Sequence, residues 1–129
     1  VLMYLHGFRS SPDSNKGQVM REALGEKFGP DLNVSPLAVQ KILLETVKDI
    51  NPSQLCLAGS SLGGFYATWL AEKIGCRAIL FNPATEPWCV INDYLGVQPI
   101  ANTGRTIEVK PEFADQAKSM HCEIIHPER

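Results

Sequence analysis

The chain predicts an α/β fold, a mostly parallel sheet flanked by helices, and three observations carry that prediction. Short, unbroken apolar runs at residues 1–5, 55–58 and 78–81 have the length of strands covered on both faces. Between them lie stretches whose apolar residues recur at helical spacing. One of the runs also passes through a glycine-rich bend, Gly59-Ser60-Ser61-Leu62-Gly63-Gly64, directly into a helix-like stretch. Strands alternating with helices imply parallel neighbours, because parallel strands need a long crossover between them.

Taken in order, residues 1–5 read as the first strand, closed by His6-Gly7. Residues 6–16 are polar and turn-rich, with Ser10, Ser11, Pro12, Asp13 and Ser14 together, and read as a loop above the sheet. Over 17–28, Met20, Leu24 and Phe28 repeat every fourth position with Val19 and Ala23 beside them, one apolar helix face stopped by Gly29-Pro30. Residues 32–36 form a weak strand candidate. Val39, Leu43, Val47 and Ile50 mark a second amphipathic helix, ended by Asn51-Pro52.

Residues 55–58 are the next strand and 64–74 the next helix, whose Ala67 and Ala71 allow close approach to the sheet before Gly75 caps it. A buried strand at 78–81 ends at Asn82-Pro83. Beyond it the pattern loosens into a short helix at 87–95, a loop at 98–105, a small strand at 106–109 and a helix at 112–120. No repeat, low-complexity tract or linker interrupts the chain, so residues 1–129 read as one domain, with 83–120 a lid or insertion within it.

Size and composition fit that reading. A chain of 129 residues with 44% hydrophobic and 20% charged residues can bury a core of its own. A formal charge of -2 leaves no basic stripe, which argues against a nucleic-acid partner. Cys56, Cys76, Cys89 and Cys122 are scattered without C-x-x-C or Cys/His spacing, so they read as reduced core thiols rather than metal or redox ligands. No 18-residue apolar run and no basic-then-apolar leader is present, so neither membrane insertion nor export is expected and the location reads as cytoplasmic. Both ends fall against elements that look cut.

The glycine-rich bend carries the chemistry. Gly59, Ser61 and Gly63 fit G-x-S-x-G, the strand-to-helix elbow of α/β-hydrolases that lifts a serine hydroxyl out of the sheet. A phosphate-binding P-loop is excluded, because Phe65 and Tyr66 stand where its Lys and Ser/Thr must be. A dinucleotide fingerprint is excluded because Ser61 replaces its second glycine. The bland alternative, a serine that only caps the following helix, accounts for less of the pattern than a nucleophile does.

A serine nucleophile needs an oxyanion hole and a base. The hole is assigned to the backbone N–H groups of Leu62 and Phe8, with Gly7 letting the His6-Gly7-Phe8 loop pass close to the reacting carbonyl. His6 precedes the serine, against the Ser–acid–His order of this fold, and reads as a brace for the loop. His121 and His126 read as surface or strand-edge residues, and none of the carboxylates after Ser61 follows a suitable strand, so the triad acid and histidine are expected outside this chain. Trp88 and Tyr94 are candidates for lining an acyl pocket.

Several motifs together resemble the YqiA-type small bacterial esterases, a compact α/β-hydrolase family. They are Tyr4-Leu5-His6-Gly7-Phe8 with Ser10-Ser11-Pro12, the run from Gly59 through Leu70, Asn82-Pro83-Ala84, and Asp93-Tyr94-Leu95-Gly96. Arg9 departs from the pattern, which has a smaller polar residue there. The resemblance implies an α/β-hydrolase-like sheet truncated at the C-terminus, with about a third of the fold missing. It implies an esterase or thioesterase acting on small acyl esters or thioesters through an acyl-enzyme on Ser61, with no metal or organic cofactor. Two other readings use the same residues: acyl transfer to an acceptor other than water, and a non-catalytic binding module on a hydrolase fold.

Overall fold

The structure, a computed structural model, describes residues 1–24, 29–123 and 125–126. Three strands, β1 (Leu2–Leu5), β2 (Cys56–Ser60) and β3 (Arg77–Phe81), form a parallel sheet in that spatial order. Its register pairs Leu2 with Cys56 and Leu5 with Gly59 on one side of β2, and Cys56 with Arg77 and Ser60 with Phe81 on the other. Helices α1 (Asn15–Leu24) and α2 (Pro36–Val47) lie in the connection from β1 to β2, and α3 (Leu62–Ile74) carries the chain from β2 to β3.

Local chemistry accounts for these elements. The Ser35 hydroxyl accepts the Ala38 N–H at 3.2 Å and Pro36 opens the first turn, a favoured start for α2. Val39, Leu43 and Val47 form its buried face. In α3 the run from Gly63 to Ala67, with Leu70 and Ala71, is buried, and Gly75 ends the helix at φ 78°, its N–H donating to the Ala71 carbonyl. These faces meet Met3, Leu5 and Leu57 of the sheet in one core, joined by Ala117 and Met120 from the distal part of the chain.

That distal part is more structured than its sequence suggests. Residues 87–95 form two separate 3₁₀ turns, Pro87–Cys89 and Ile91–Tyr94, instead of one short helix. The expected loop at 98–105 begins inside a strand: β4 (Gly96–Pro99) pairs antiparallel with β5 (Thr106–Val109), and a tight turn with Asn102 and Gly104 at positive φ joins them. Helix α4 (Glu112–Lys118) follows and packs against α2. Ile100, Ile107, Val109 and Phe113 form a second small core, on which Phe8 and Ile91 rest.

Four further expectations are corrected. Residues 32–36 are not a strand: the Leu32 N–H is consumed by a side chain, His6 Nε2, and Pro36 already begins α2. Among the described residues β3 is not fully buried; it is one of the sheet's two edges, and Ile79, Leu80 and Phe81 are 52%, 38% and 37% exposed. Helix α1 starts at Asn15, two residues before the predicted start, leaves Val19 exposed, and its predicted end at 25–28 lies outside the described residues. Of the cysteines only Cys76 is in the core; Cys56 and Cys122 are half-buried and Cys89 is exposed.

Candidate active site

The elbow sits where β2 turns into α3. Ser61 has φ 55° and ψ -117°, a conformation that a residue with a Cβ rarely adopts. Four backbone hydrogen bonds hold it there. The Ser61 N–H donates to the Phe81 carbonyl at 3.1 Å, and the Ser61 carbonyl accepts the N–H groups of Gly64, Phe65 and Ala84. The glycines permit the packing: a Cβ on Gly63 would lie 2.0 Å from the Leu5 carbonyl oxygen, and one on Gly59 would lie 2.5 Å from the Gly63 carbonyl oxygen.

Ser61 occupies the N-cap position of α3, yet its hydroxyl makes no capping bond. The side chain is exposed and lines a cavity of about 200 Å³. The walls are mainly apolar, with Leu62, Tyr66, Val90, Ile91 and Tyr94 among them. Tyr94, one of the two aromatic residues singled out in the sequence, lines the cavity that holds Ser61. Trp88 does not line the cavity; its ring packs edge-on against Phe65 and His121, at centroid distances of 6.0 and 5.3 Å.

The His6-Gly7-Phe8 loop abuts the elbow. A Cβ on Gly7 would lie 3.4 Å from both the Ser61 Cβ and the Ser60 carbonyl oxygen. His6 is buried, and its ring is fully engaged. Nε2 accepts the Leu32 N–H at 2.8 Å, so Nδ1 carries the proton and donates to the Gly7 carbonyl at 2.8 Å. Burial lowers the His6 pKa, against the opposing pull of the Gly7 carbonyl and of Asp31, whose carboxylate lies 3.7 Å away. Both ring nitrogens are thus taken up by backbone groups of the loop and of Leu32.

Asp31 extends the brace. Partial burial pushes its pKa up, but the Asn33 N–H and the Arg105 guanidinium at 2.7 Å outweigh that and hold it below the usual carboxylate value. Among the described residues, the Phe8 and Leu62 N–H groups donate to no protein acceptor. Leu62 is the first residue of α3, where an N–H has no partner within the helix.

Sequence reasoning missed a clasp on this loop. Arg9, at φ 59°, lays its guanidinium over the rings of Phe8 and Tyr94, 5.4 and 5.2 Å from their centroids, while the two rings meet edge-on at 5.3 Å. Its carbonyl accepts the Ala101 N–H at 2.9 Å, and its side chain reaches Gln98. The clasp ties the loop to the β4–β5 hairpin, and a basic residue between an aromatic and a serine run was the sole hint of it.

The late histidines lie elsewhere. The His121 ring packs on Trp88, and the His126 backbone N–H and Nδ1 both engage the Glu72 carboxylate. Among the described residues no histidine or carboxylate hydrogen-bonds to the Ser61 hydroxyl. No group of three or more His, Cys, Asp or Glu among them is placed to hold a metal ion, and no helix is long and apolar enough to cross a membrane.

A family model described as "Uncharacterised protein family (UPF0227)" matches residues 1–128. Two similar curated proteins, both UPF0227 proteins of Vibrio vulnificus, strains CMCP6 and YJ016, are 28% identical over 94 residues. Each alignment covers 67% of this chain and 52% of the relative, so the matched part of the chain spans about half the length of the curated relatives.

Proposed function

Within the UPF0227 family, to which the chain belongs, we propose that it is the nucleophile-bearing part of a serine hydrolase of the α/β-hydrolase type, akin to the YqiA-type esterases. One observation carries the proposal: Ser61 is held at φ 55°, with an uncommitted hydroxyl at the mouth of an apolar cavity. Strain of this kind, over-determined by surrounding hydrogen bonds, recurs at nucleophile elbows.

In this reading the Ser61 oxygen attacks the carbonyl carbon of a small acyl ester or thioester whose acyl group lies in the cavity. The Phe8 and Leu62 N–H groups stabilise the oxyanion, a contribution of roughly 10²–10³ in rate for each such donor in related chemistry. The alcohol or thiol leaves, and water releases the acid from the acyl-enzyme. Proton transfer requires a base, and the acid and histidine of the triad are assigned to the whole protein beyond these residues. His6 holds the oxyanion loop.

The test is labelling of the full-length protein with a fluorophosphonate probe, followed by peptide mapping. Covalent modification at Ser61, absent in Ser61→Ala, is the expected result. A wild-type protein that stays unlabelled, or a Ser61→Ala variant that labels equally, removes the nucleophile and leaves the binding-module reading of the fold.

A further inference from the structure

Two depressions meet at the elbow. The apolar cavity holds Ser61, while a wider groove of about 840 Å³ holds Ser60, and Gly7 lines both. The groove is mixed in character but much more polar than the cavity, and is walled by the loop and first turn of α1 on one side and by the β4–β5 turn on the other. A molecule spanning Gly7 would have its two ends in unlike surroundings, one apolar and one richer in polar and charged groups, with the paired serines between them.

Lys16 gives the polar side its character. Its ammonium donates to the Ser60 hydroxyl at 2.9 Å and lies 5.9 Å from the centroid of the Phe81 ring. Among the described residues it has no carboxylate within ion-pair distance. The other charges facing the groove are Asp31, Arg105 and Asp13. Asp31 and Arg105 are paired with each other at 2.7 Å, and Asp13 has a contact of its own. Lys16 is thus a cation beside the nucleophile whose contacts are a hydroxyl and an aromatic face. An ammonium has three N–H donors, and Ser60 takes one.

We infer that this groove is the leaving-group subsite, and that Lys16 with Ser60 recognises an anionic group, phosphate or carboxylate, on the alcohol or thiol released from Ser61. The inference rests on Ser61 being the nucleophile. During acylation the bond from Ser61 Oγ to the acyl carbon forms and the bond from that carbon to the leaving oxygen or sulfur breaks. The serine proton ends on the leaving group by way of the base. Lys16 gives up no proton; it holds the charge on the departing half. The acyl half stays in the apolar cavity, so the two depressions sort the substrate by polarity.

The test uses the full-length protein and two matched substrate pairs. S-butyryl coenzyme A is compared with S-butyryl-N-acetylcysteamine, and the butyryl ester of 4-hydroxybenzoate with phenyl butyrate. The readout is the charged-to-neutral ratio of kcat/KM in wild type, Lys16→Ala and Lys16→Arg, at low and high salt. The expected result is a ratio above one in at least one pair, reduced roughly tenfold in Lys16→Ala, largely kept in Lys16→Arg, and falling with salt. The pair that responds tells phosphate from carboxylate recognition.

A ratio that is the same in wild type and Lys16→Ala, with the neutral substrates still hydrolysed, overturns the groove proposal alone. Absence of hydrolysis of all four substrates together with absence of fluorophosphonate labelling overturns the nucleophile reading, and the groove proposal falls with it.

Discussion

Replacing Ser61 by glycine should make the protein more stable than replacing it by alanine, and the difference measures what the elbow stores. Both variants lose the hydroxyl, so any bond it makes cancels between them. Only the Cβ differs, at a residue held at φ 55° and ψ -117°. Backbone placed in a sparsely populated region costs on the order of 1–3 kcal/mol. Glycine relieves that strain but loses more chain entropy on folding, about 0.5–1 kcal/mol relative to alanine. The net expectation is a gain of up to about 2.5 kcal/mol, centred a little above 1 kcal/mol, for Ser61→Gly over Ser61→Ala. With an unfolding entropy of about 2.1 cal/mol/K per residue, the central value is a rise in Tm of roughly 5 °C, and the upper bound roughly 9 °C, for a domain of this size. Paired thermal and urea unfolding curves, fitted for Tm and midpoint, would show it. A glycine variant no more stable than the alanine variant would mean that the elbow holds no strain, and the observation behind the functional proposal would lose its force.

Gly63→Ala should do the opposite of what the same change does in an open helix, where it gains about 1 kcal/mol. Its Cβ would lie 2.0 Å from the Leu5 carbonyl and 2.5 Å from that of His6, so a loss of at least about 1–3 kcal/mol is expected in urea unfolding. Acid should weaken the fold from near neutrality. His6 has a folded pKa below its ordinary 6.5, so its contribution is complete above that value, falls as the unfolded chain takes up the proton first, and levels off below the folded pKa. Asp31, depressed below 3.8, adds a contribution present above that value and lost as pH falls through its folded pKa. Urea midpoints measured from pH 8 to pH 3 should show both declines, and a midpoint that rises as pH falls from 7 to 5 would contradict the first. Arg9→Ala should slow fluorophosphonate labelling of Ser61 several-fold and lower stability by about 1 kcal/mol through the lost ring contacts; unchanged labelling would show that the clasp does not position the Phe8 amide.

The parts of the fold legible in the sequence are those in which local pattern and tertiary packing agree. The Val39, Leu43, Val47 stripe of α2 and the small residues of α3 announced both helices and their buried faces. The elbow was legible because its glycines are required by backbone contacts that no other residue allows. The failures have physical causes. The candidate strand at 32–36 could not form because a histidine 26 positions away takes the Leu32 N–H. The apolar composition of β3 gave no sign of its edge position, since a periodicity reports covering only when both faces differ. Arg9 and Lys16 were opaque for another reason: their partners, Tyr94 and Ser60, are distant in the chain, and a single basic residue carries no spacing to read.

The hydrogen bonds of Ser61 also decide how the elbow comes apart. Its N–H is held by the Phe81 carbonyl, at the end of β3, and its carbonyl holds the Ala84 N–H just beyond that strand. Among the described residues β3 is one edge of the three-stranded sheet, with Ile79 half open to solvent. Edge elements are drawn from the low end of a protein's range of opening free energies, and their amides exchange before those of the centre. The serine is therefore fastened to an edge strand of this sheet, and its amide and that of Ala84 should exchange with deuterium as one unit with β3, before Leu57 in the middle of the sheet. A ligand that fills the cavity between Ser61 and Ala84 would slow that shared exchange, so the edge of the sheet becomes a reporter of occupancy at the elbow.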